Sequence, residues 1–469
     1  VLLIVHPSTY HAERRYIFDV ILRDFLGIEY ATLEHGQPDV QIMLADDPNG
    51  RRICLPDNLF STPKEEWLTA SSMPKEPLGI FDISETRIEA PVVNSRIPVI
   101  YGRTVSENGY YSEEVSTLNL GLDIFGSAFF MLTRYEELVI KDRDEHDRFS
   151  AKSSLAFKEG FLCRPIINEY VEILWWALGQ LNPNLIRKKR QFDLVLSHDV
   201  DWPISASRDV MRALKSAVGD ATKRGDLGLA LRRLGALPRF GQGRFDHDVN
   251  NTFDFIMKVS EEQGIASTFN IIADNTAGEI DGTYSLGEPW VQKMLLAFSD
   301  RGHYIGLHLS YNSFRDKEQT LLEFKKLKKE CKKLKIKQPV SVGRQHFLRW
   351  ENPTTWQNLE DAGIKCDSTL TYADRPGFRC GVCYEYPVFN LRTRQALKLR
   401  ELPLVVMEGT LYDYMGLTHE EANKSIMSLY AKCKIYQGSF TLLWHNSELI
   451  TKQARYWYKR TVDEICIQR

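Results

Sequence analysis

Two aspartates stand two residues apart in Ser197-His198-Asp199-Val200-Asp201, directly after the apolar run Phe192-Asp193-Leu194-Val195-Leu196. Side chains alternate faces along a strand, so Asp199 and Asp201 point one way and His198 the other. Adjacent carboxylates repel unless a cation or a proton lies between them. The pair therefore suits one metal ligand and one base, although such pairs also occur in turns that cap helices. His308 ends a second strand-like run, Tyr304-Ile305-Gly306-Leu307, and Asn312 follows four residues on. A helical turn after His308 would put both side chains on one side, and neutral imidazole is the commonest transition-metal ligand. His445 follows Leu442-Leu443-Trp444 at another strand end, where it can exchange protons near neutral pH. Arg344, in a turn after Val340-Ser341-Val342, can orient a carboxylate through a bidentate pair. Taken singly, each of these residues also fits a satisfied structural role.

The elements that must position them alternate. Short apolar strands at 194–196, 267–272, 304–307, 400–404 and 440–444 are separated by helical patterns, which predicts a largely parallel α/β sheet or barrel. Reactive residues in such folds sit at the C-terminal ends of strands. Ahead of them, residues 1–188 form a separate N-terminal α/β domain, with strands expected at 2–5, 40–44 and 98–101 and helices at 16–22, 122–139 and 166–181. The polar run Lys188-Lys189-Arg190 marks the boundary, and 189–469 is the second domain. Within it, residues 203–250 read as a helical insertion with a loop at Gly241-Gln242-Gly243. Phe324, Leu327, Cys331 and Leu334 recur at helical spacing among lysines, the pattern of an amphipathic helix with a solvated basic face.

A chain of 469 residues exceeds one ordinary domain. Lys plus Arg number 60 and Asp plus Glu 62, so nothing demands a nucleic acid or an anionic surface as partner. Eight scattered Cys fit a reduced compartment better than a disulfide scaffold, and Cys380-x-x-Cys383 lacks the second pair that a structural zinc site needs. No apolar run approaches the ~20 residues of a membrane-spanning helix. The opening Val1-Leu2-Leu3-Ile4-Val5 reads as a strand rather than a secretory leader, and the expected location is cytoplasmic.

The order of these segments resembles the NodB homology domain of the polysaccharide deacetylases, the fourth family of carbohydrate esterases. Ser197-His198-Asp199-Val200-Asp201 looks like that family's first motif, a base aspartate followed by a metal-ligand aspartate. Ser267-Thr268-Phe269-Asn270 is similar to its Ala-Thr-Phe-Phe segment, and Gly302-His303-Tyr304-Ile305-Gly306-Leu307-His308 to its Gly-His-Glu-Ile-Gly-x-His motif. Arg344 falls at its Arg-x-Pro segment, with His346 in place of the proline. Asp367-Ser368-Thr369-Leu370 is similar to the Tyr-Asp-Ser-Ser stretch, and Leu443-Trp444-His445 resembles the terminal Leu-x-His. The segment from Phe129 to Glu137, followed by Arg164-Pro165, resembles an uncharacterised domain that precedes such deacetylases in bacterial surface-polysaccharide gene clusters.

The resemblance implies a distorted, incomplete (β/α) barrel and a metal-dependent hydrolase that removes an N-acetyl group from an amino sugar of a surface-glycan precursor or polysaccharide. It assigns Asp199 as base, His445 as acid and Arg344 as the residue orienting Asp199. It gives Asp201 and His308, with Asn312 as the third, as ligands of a divalent metal, zinc first with cobalt or nickel as alternatives. Asn312 stands where the family has its second metal histidine, and an amide oxygen is a weaker ligand than imidazole. His303 and His346 are the other groups within reach of that role. Tyr311, Trp350 and Trp444 are candidates for stacking on sugar rings, although aromatics of this kind also fill cores and rims. Asn312 also motivates an alternative, a catalytically impaired glycan-binding or scaffolding protein of the same fold.

Overall fold

The computed structural model describes residues 1–47, 50–107, 109–205, 210–240, 245 and 247–467. The chain begins with β1 (Leu2–His6), whose Leu2 and Ile4 are fully buried. A helix starting at His11 follows and runs on to Leu26 with wider, π-type turns. β2 (Tyr30–Glu34) pairs parallel with β1, while β3 (Val40–Leu44) pairs antiparallel with it. β4 (Arg52–Leu55) extends this sheet. β5 (Gly79–Asp82) and β6 (Arg96–Val99) form a separate small ribbon. β7 (Tyr111–Glu113) and β8 (Thr117–Leu120) complete a six-stranded sheet of order β2-β1-β3-β4-β8-β7.

The helix expected over 122–139 is two helices, Ile124–Leu132 and Glu136–Val139. The break is at Arg134, which takes a left-handed φ of 52°. Its fully buried guanidinium turns inward to Glu136 at 2.6 Å, to Glu137 at 2.8 Å, and to the carbonyl of Arg379 in the second half of the chain. Burying a guanidinium is tolerable only with carboxylate and carbonyl partners on every side, and meeting them bends the backbone away from one continuous helix. The expected helix at Ile166–Leu181 is present and buries its Leu174 face.

The second sheet carries the remaining strands: β9 (Asp193–Val200), β10 (Thr268–Ile272), β11 (Tyr304–Leu309), β12 (Val342–Gln345), β13 (Cys366–Asp367), β14 (Tyr386–Asn390), β15 (Gln395–Glu401), β16 (Val406–Met407) and β17 (Ser439–Leu443). Their order is β14-β15-β13-β12-β11-β10-β9-β17-β16. Every pairing is parallel except the β14–β15 hairpin. β14 and β16 remain its two edges, so the sheet is an open, incomplete barrel, the α/β class expected. Arg344 lies within β12 rather than in a turn after it. The lysine-rich helix, Lys317–Lys333, buries Phe324, Leu327 and Cys331. Helices Val210–Thr222 and Leu227–Phe240 lie within residues 203–250, and the loop expected at 241–243 lies outside the described residues. The two sheets share one core: Phe389 of β14 packs 4.9 Å from Tyr16 and 5.4 Å from Phe129, ring centre to ring centre.

Candidate metal centre

β9, β11, β12 and β17 deliver the chemistry because parallel strands end side by side. Asp199 is the seventh residue of β9, and Asp201 follows directly after its end. His308 is on β11, His346 follows β12, and His445 follows β17. Asp201 Oδ1 lies 3.1 Å from His308 Nε2, and Asp201 Oδ2 lies 3.6 Å from His346 Nε2. These three residues each offer one ligand atom, all within 4.8 Å of one another.

The outer atoms of both imidazoles are already committed. His308 Nδ1 is 3.0 Å from the carbonyl of Arg344, and His346 Nδ1 is 2.8 Å from Asp281 Oδ1. Those acceptors require N–H on Nδ1 in neutral imidazole and leave each Nε2 lone pair aimed inward, the arrangement that metal-binding histidines use. Asp201 Oδ1 is buried and accepts no hydrogen bond from an ordinary donor. One oxygen and two nitrogens converge, the oxygen buried and unpartnered, a set that fits a divalent cation. Proton binding serves the same charge balance. Burial opposes a charge on His346, but Asp201 and Asp281 outweigh it and push its pKa up to about 9. Gly282 (φ 74°) permits the close approach of this loop, since a Cβ there would meet the carbonyl of Asp201 at 2.3 Å.

Asp199 stands beside this group with Oδ2 3.7 Å from His308 Nε2. Its Oδ1 accepts from Arg344 Nη1 at 3.0 Å and from Asn270 Nδ2 at 2.7 Å. Burial favours its neutral form, but Arg344, then His308 and His445, reverse this and hold the pKa below the usual carboxylate value. Arg344 makes no bidentate pair. Its Nη1 also donates to Ser197 Oγ at 2.9 Å, and its Nε donates to the carbonyl of Ser368 at 2.9 Å. The fork is therefore spread over three partners and fixed in place. Gly306 makes room for Asn270, because a Cβ there would lie 2.1 Å from Asn270 Oδ1.

On the far side of Asp201, His445 Nε2 is 3.6 Å from Asp201 Oδ2. Its Nδ1 is 2.6 Å from Glu408 Oε1. Burial lowers the pKa of His445, but Glu408, Asp201 and Asp199 together raise it well above the ordinary value. His198 behaves oppositely. It faces away, with Nδ1 2.7 Å from the carbonyl of Trp444, and burial lowers its pKa to about 3.

Asp199, Asp201, His308, His346, Glu408 and His445 line one cavity of about 230 Å³, together with Arg148 and Tyr414. Asn312 does not join them. Its Nδ2 donates to the carbonyl of Thr276 at 3.0 Å, and its Oδ1 accepts from Arg349 at 3.2 Å. The chain forms a 3-10 turn at Ser313–Arg315 instead of continuing from His308 as a helix, so the shared side that spacing implied is lost. Trp350 is 1% exposed and packs edge-on against Trp356, inside the core. Trp444 is also 1% exposed and borders a separate cleft of about 710 Å³ with Tyr412 and Trp457. Tyr311 lies under the guanidinium of Arg349 at 3.9 Å and bonds His146 at 2.9 Å, outside the cavity lining. None of these three aromatics therefore reaches the cavity. Conversely, Glu408, Asp281 and Arg148 escaped notice in the sequence. Glu408 carried the only local signal, an acid directly after the apolar Leu404-Val405-Val406-Met407.

Among the described residues, no helix is long and apolar enough to cross a membrane. Residues 2–183 match DUF7033, a family of unknown function. No curated protein matches the chain. Solved structures similar to it include a Mycobacterium smegmatis protein assigned as a polysaccharide deacetylase, at 15% identity over 60% of this chain and 85% of that one, with a TM-score of 0.39. They also include a family 4 carbohydrate esterase from Streptomyces lividans, at 11% identity over 59% and 90%, TM-score 0.29. A third is a pseudoenzyme of that esterase family from Bacillus anthracis, at 11% identity over 59% and 62%, TM-score 0.29.

Proposed function

We propose that the chain is a metal-dependent hydrolase that removes the N-acetyl group from an amino sugar. One observation carries this reading: Asp201, His308 and His346 converge on one point, with the anionic Asp199 on one side and the Glu408–His445 pair on the other. A divalent cation held there, zinc or its substitutes cobalt and nickel, would polarise the acyl oxygen and acidify water.

The protein's own residues supply the proton movements. Asp199 Oδ2 takes the proton of the attacking water, while Arg344 and Asn270 on Oδ1 hold the carboxylate ionised and aimed. His445, protonated through Glu408, delivers a proton from Nε2 to the departing amine nitrogen. Glu408 also accepts from the backbone N of His445 at 2.6 Å, which fixes the ring relative to its own strand end. A cavity of about 230 Å³ suits the acetamido group and part of one ring, with the rest of the sugar outside. The alternative, a binding protein without metal chemistry, drew on Asn312; the standing of His346 beside Asp201 and His308, a group that could hold a metal ion, supports the enzyme reading instead.

The test is acetate release. Metal-free chain reloaded with zinc, cobalt or nickel is incubated with N-acetylchitotetraose, a nucleotide-linked N-acetylhexosamine and a polyprenyl-linked one. Acetate from at least one, lost in Asp199→Asn, supports the reading. A metal-loaded chain that releases acetate from none of them sinks it.

A further inference from the structure

The third candidate ligand, His346, is followed by an unfavourable piece of backbone. Directly after His346, Phe347 and Leu348 take φ values of 59° and 57°, two consecutive residues with side chains in the left-handed region. L-residues avoid that region because Cβ crowds the backbone, and such turns persist only when their surroundings hold them. His346 reaches Asp201 only if this turn is held.

What holds it is largely the N-terminal half of the chain. Arg148 Nη1 donates to the carbonyl of Phe347 at 3.1 Å, and its Nη2 donates to Tyr414 at 3.1 Å. Arg148 is anchored in turn by Asp144, which accepts its Nε at 2.8 Å and its backbone N at 2.9 Å. The His146 ring packs 4.9 Å from the Phe347 ring, centre to centre. Its carbonyl accepts from Nε of Arg349, the residue that leaves the turn, at 2.9 Å, and Asp147 accepts from Nη2 of the same arginine at 3.2 Å. Arg148 is 6% exposed, yet it lines the catalytic cavity, so this loop is part of the cavity wall.

We propose that the loop 144–148 is a clamp on the metal-ligand turn, and that Arg148 and His146 are positioning residues for His346. This assigns a task to the region that matches a family of unknown function. The clamp rests on the metal centre and not on which bond is hydrolysed.

The test uses the full chain and zinc alone. Zinc affinity is measured by competition with a chromogenic chelator, and the visible spectrum of the cobalt-loaded protein reports ligand geometry. Arg148→Ala, acting on His346 through the Phe347 carbonyl, is expected to weaken zinc binding by roughly tenfold, the low end of the loss caused by removing a ligand's own partner, and to alter the cobalt bands. His146→Ala is expected to act in the same direction. In a His346→Ala background, Arg148→Ala should change zinc affinity by less than about twofold, because its effect runs through that ligand. Arg148→Ala with zinc affinity within twofold of wild type and unchanged cobalt bands overturns the clamp alone. An equal loss in the His346→Ala background also overturns it, since the effect would then be general. A wild-type chain that binds no zinc overturns the metal centre and the clamp together.

Discussion

Glu408 Oε1 lies 2.6 Å from Nδ1 of His445 and 2.6 Å from its backbone N. Glu408 is fully buried, so its charge acts on the imidazole with little solvent screening. Burial alone would make His445 a weak proton carrier. Glu408, followed by Asp201 and Asp199, reverses that and raises the pKa of the ring well above the ordinary value.

Glu408→Gln should therefore lower the pKa of His445. A general acid works while protonated, so its activity is present below its pKa and lost above it. The alkaline limb of the kcat/KM profile should move to lower pH in the variant, with a loss of roughly 10²–10⁴ on the alkaline side. Acetate release measured from pH 6 to 10 checks this. An unmoved limb would remove His445 from the role of acid.

Asp199→Asn keeps the shape of the site and removes the base. Its Oδ1 can still accept from Arg344 and Asn270, and Asp201, His308 and His346 are untouched. Turnover should fall by roughly 10²–10⁴ or more, while zinc content stays near that of wild type by elemental analysis. Turnover within tenfold of wild type would show that another group takes the proton.

His346→Ala and Asn312→Ala separate the two candidates for third ligand. His346 Nε2 faces Asp201, whereas both polar atoms of Asn312 are engaged with Thr276 and Arg349. His346→Ala should weaken zinc binding by well over tenfold and Asn312→Ala by about twofold or less. The reverse ranking would restore the ligand that the spacing from His308 suggested.

Much of the centre was legible because the strand period places side chains reliably. Asp199, Asp201, His308 and His445 all sit at strand ends, where alternation and order along a parallel sheet leave little freedom. His346 was visible only as a possibility. It is delivered by a turn whose conformation depends on a distant loop, and no local period encodes such contacts. Asn312 misled because spacing of four implies a shared face only in a helix, and the chain there turns differently. Trp350 and Trp444 misled because an apolar ring carries no sign in the sequence of which side it will bury. Arg134 shows the same limit in the fold: its partner Arg379 lies in the other half of the chain, and that contact accompanies the break in a helix that periodicity continued.

The framework behind His308 should make the fold sensitive to alkali. Glu323, on the lysine-rich helix, is fully buried and accepts from Ser310 N at 2.9 Å and from Gln319 at 2.8 Å, with the Ser310 hydroxyl as a third donor. Ser310 follows the strand that carries His308, so this carboxyl ties the helix to β11. Burial exceeds the help of those donors and raises its pKa from 4.5 to about 7. A carboxyl raised in the folded state adds stability that is complete below its unfolded pKa and is lost as pH climbs through the folded one. Here the loss runs from about pH 4.5 to somewhat above 7 and amounts to about 3 kcal/mol at most. Glu323→Gln does not ionise and keeps one acceptor for Ser310. Urea denaturation between pH 5 and 9 should show wild type losing about 2–3 kcal/mol more than the variant over that range. Parallel pH dependences in the two proteins would mean that the carboxyl is ionised without penalty, and the helix would need another tie to β11.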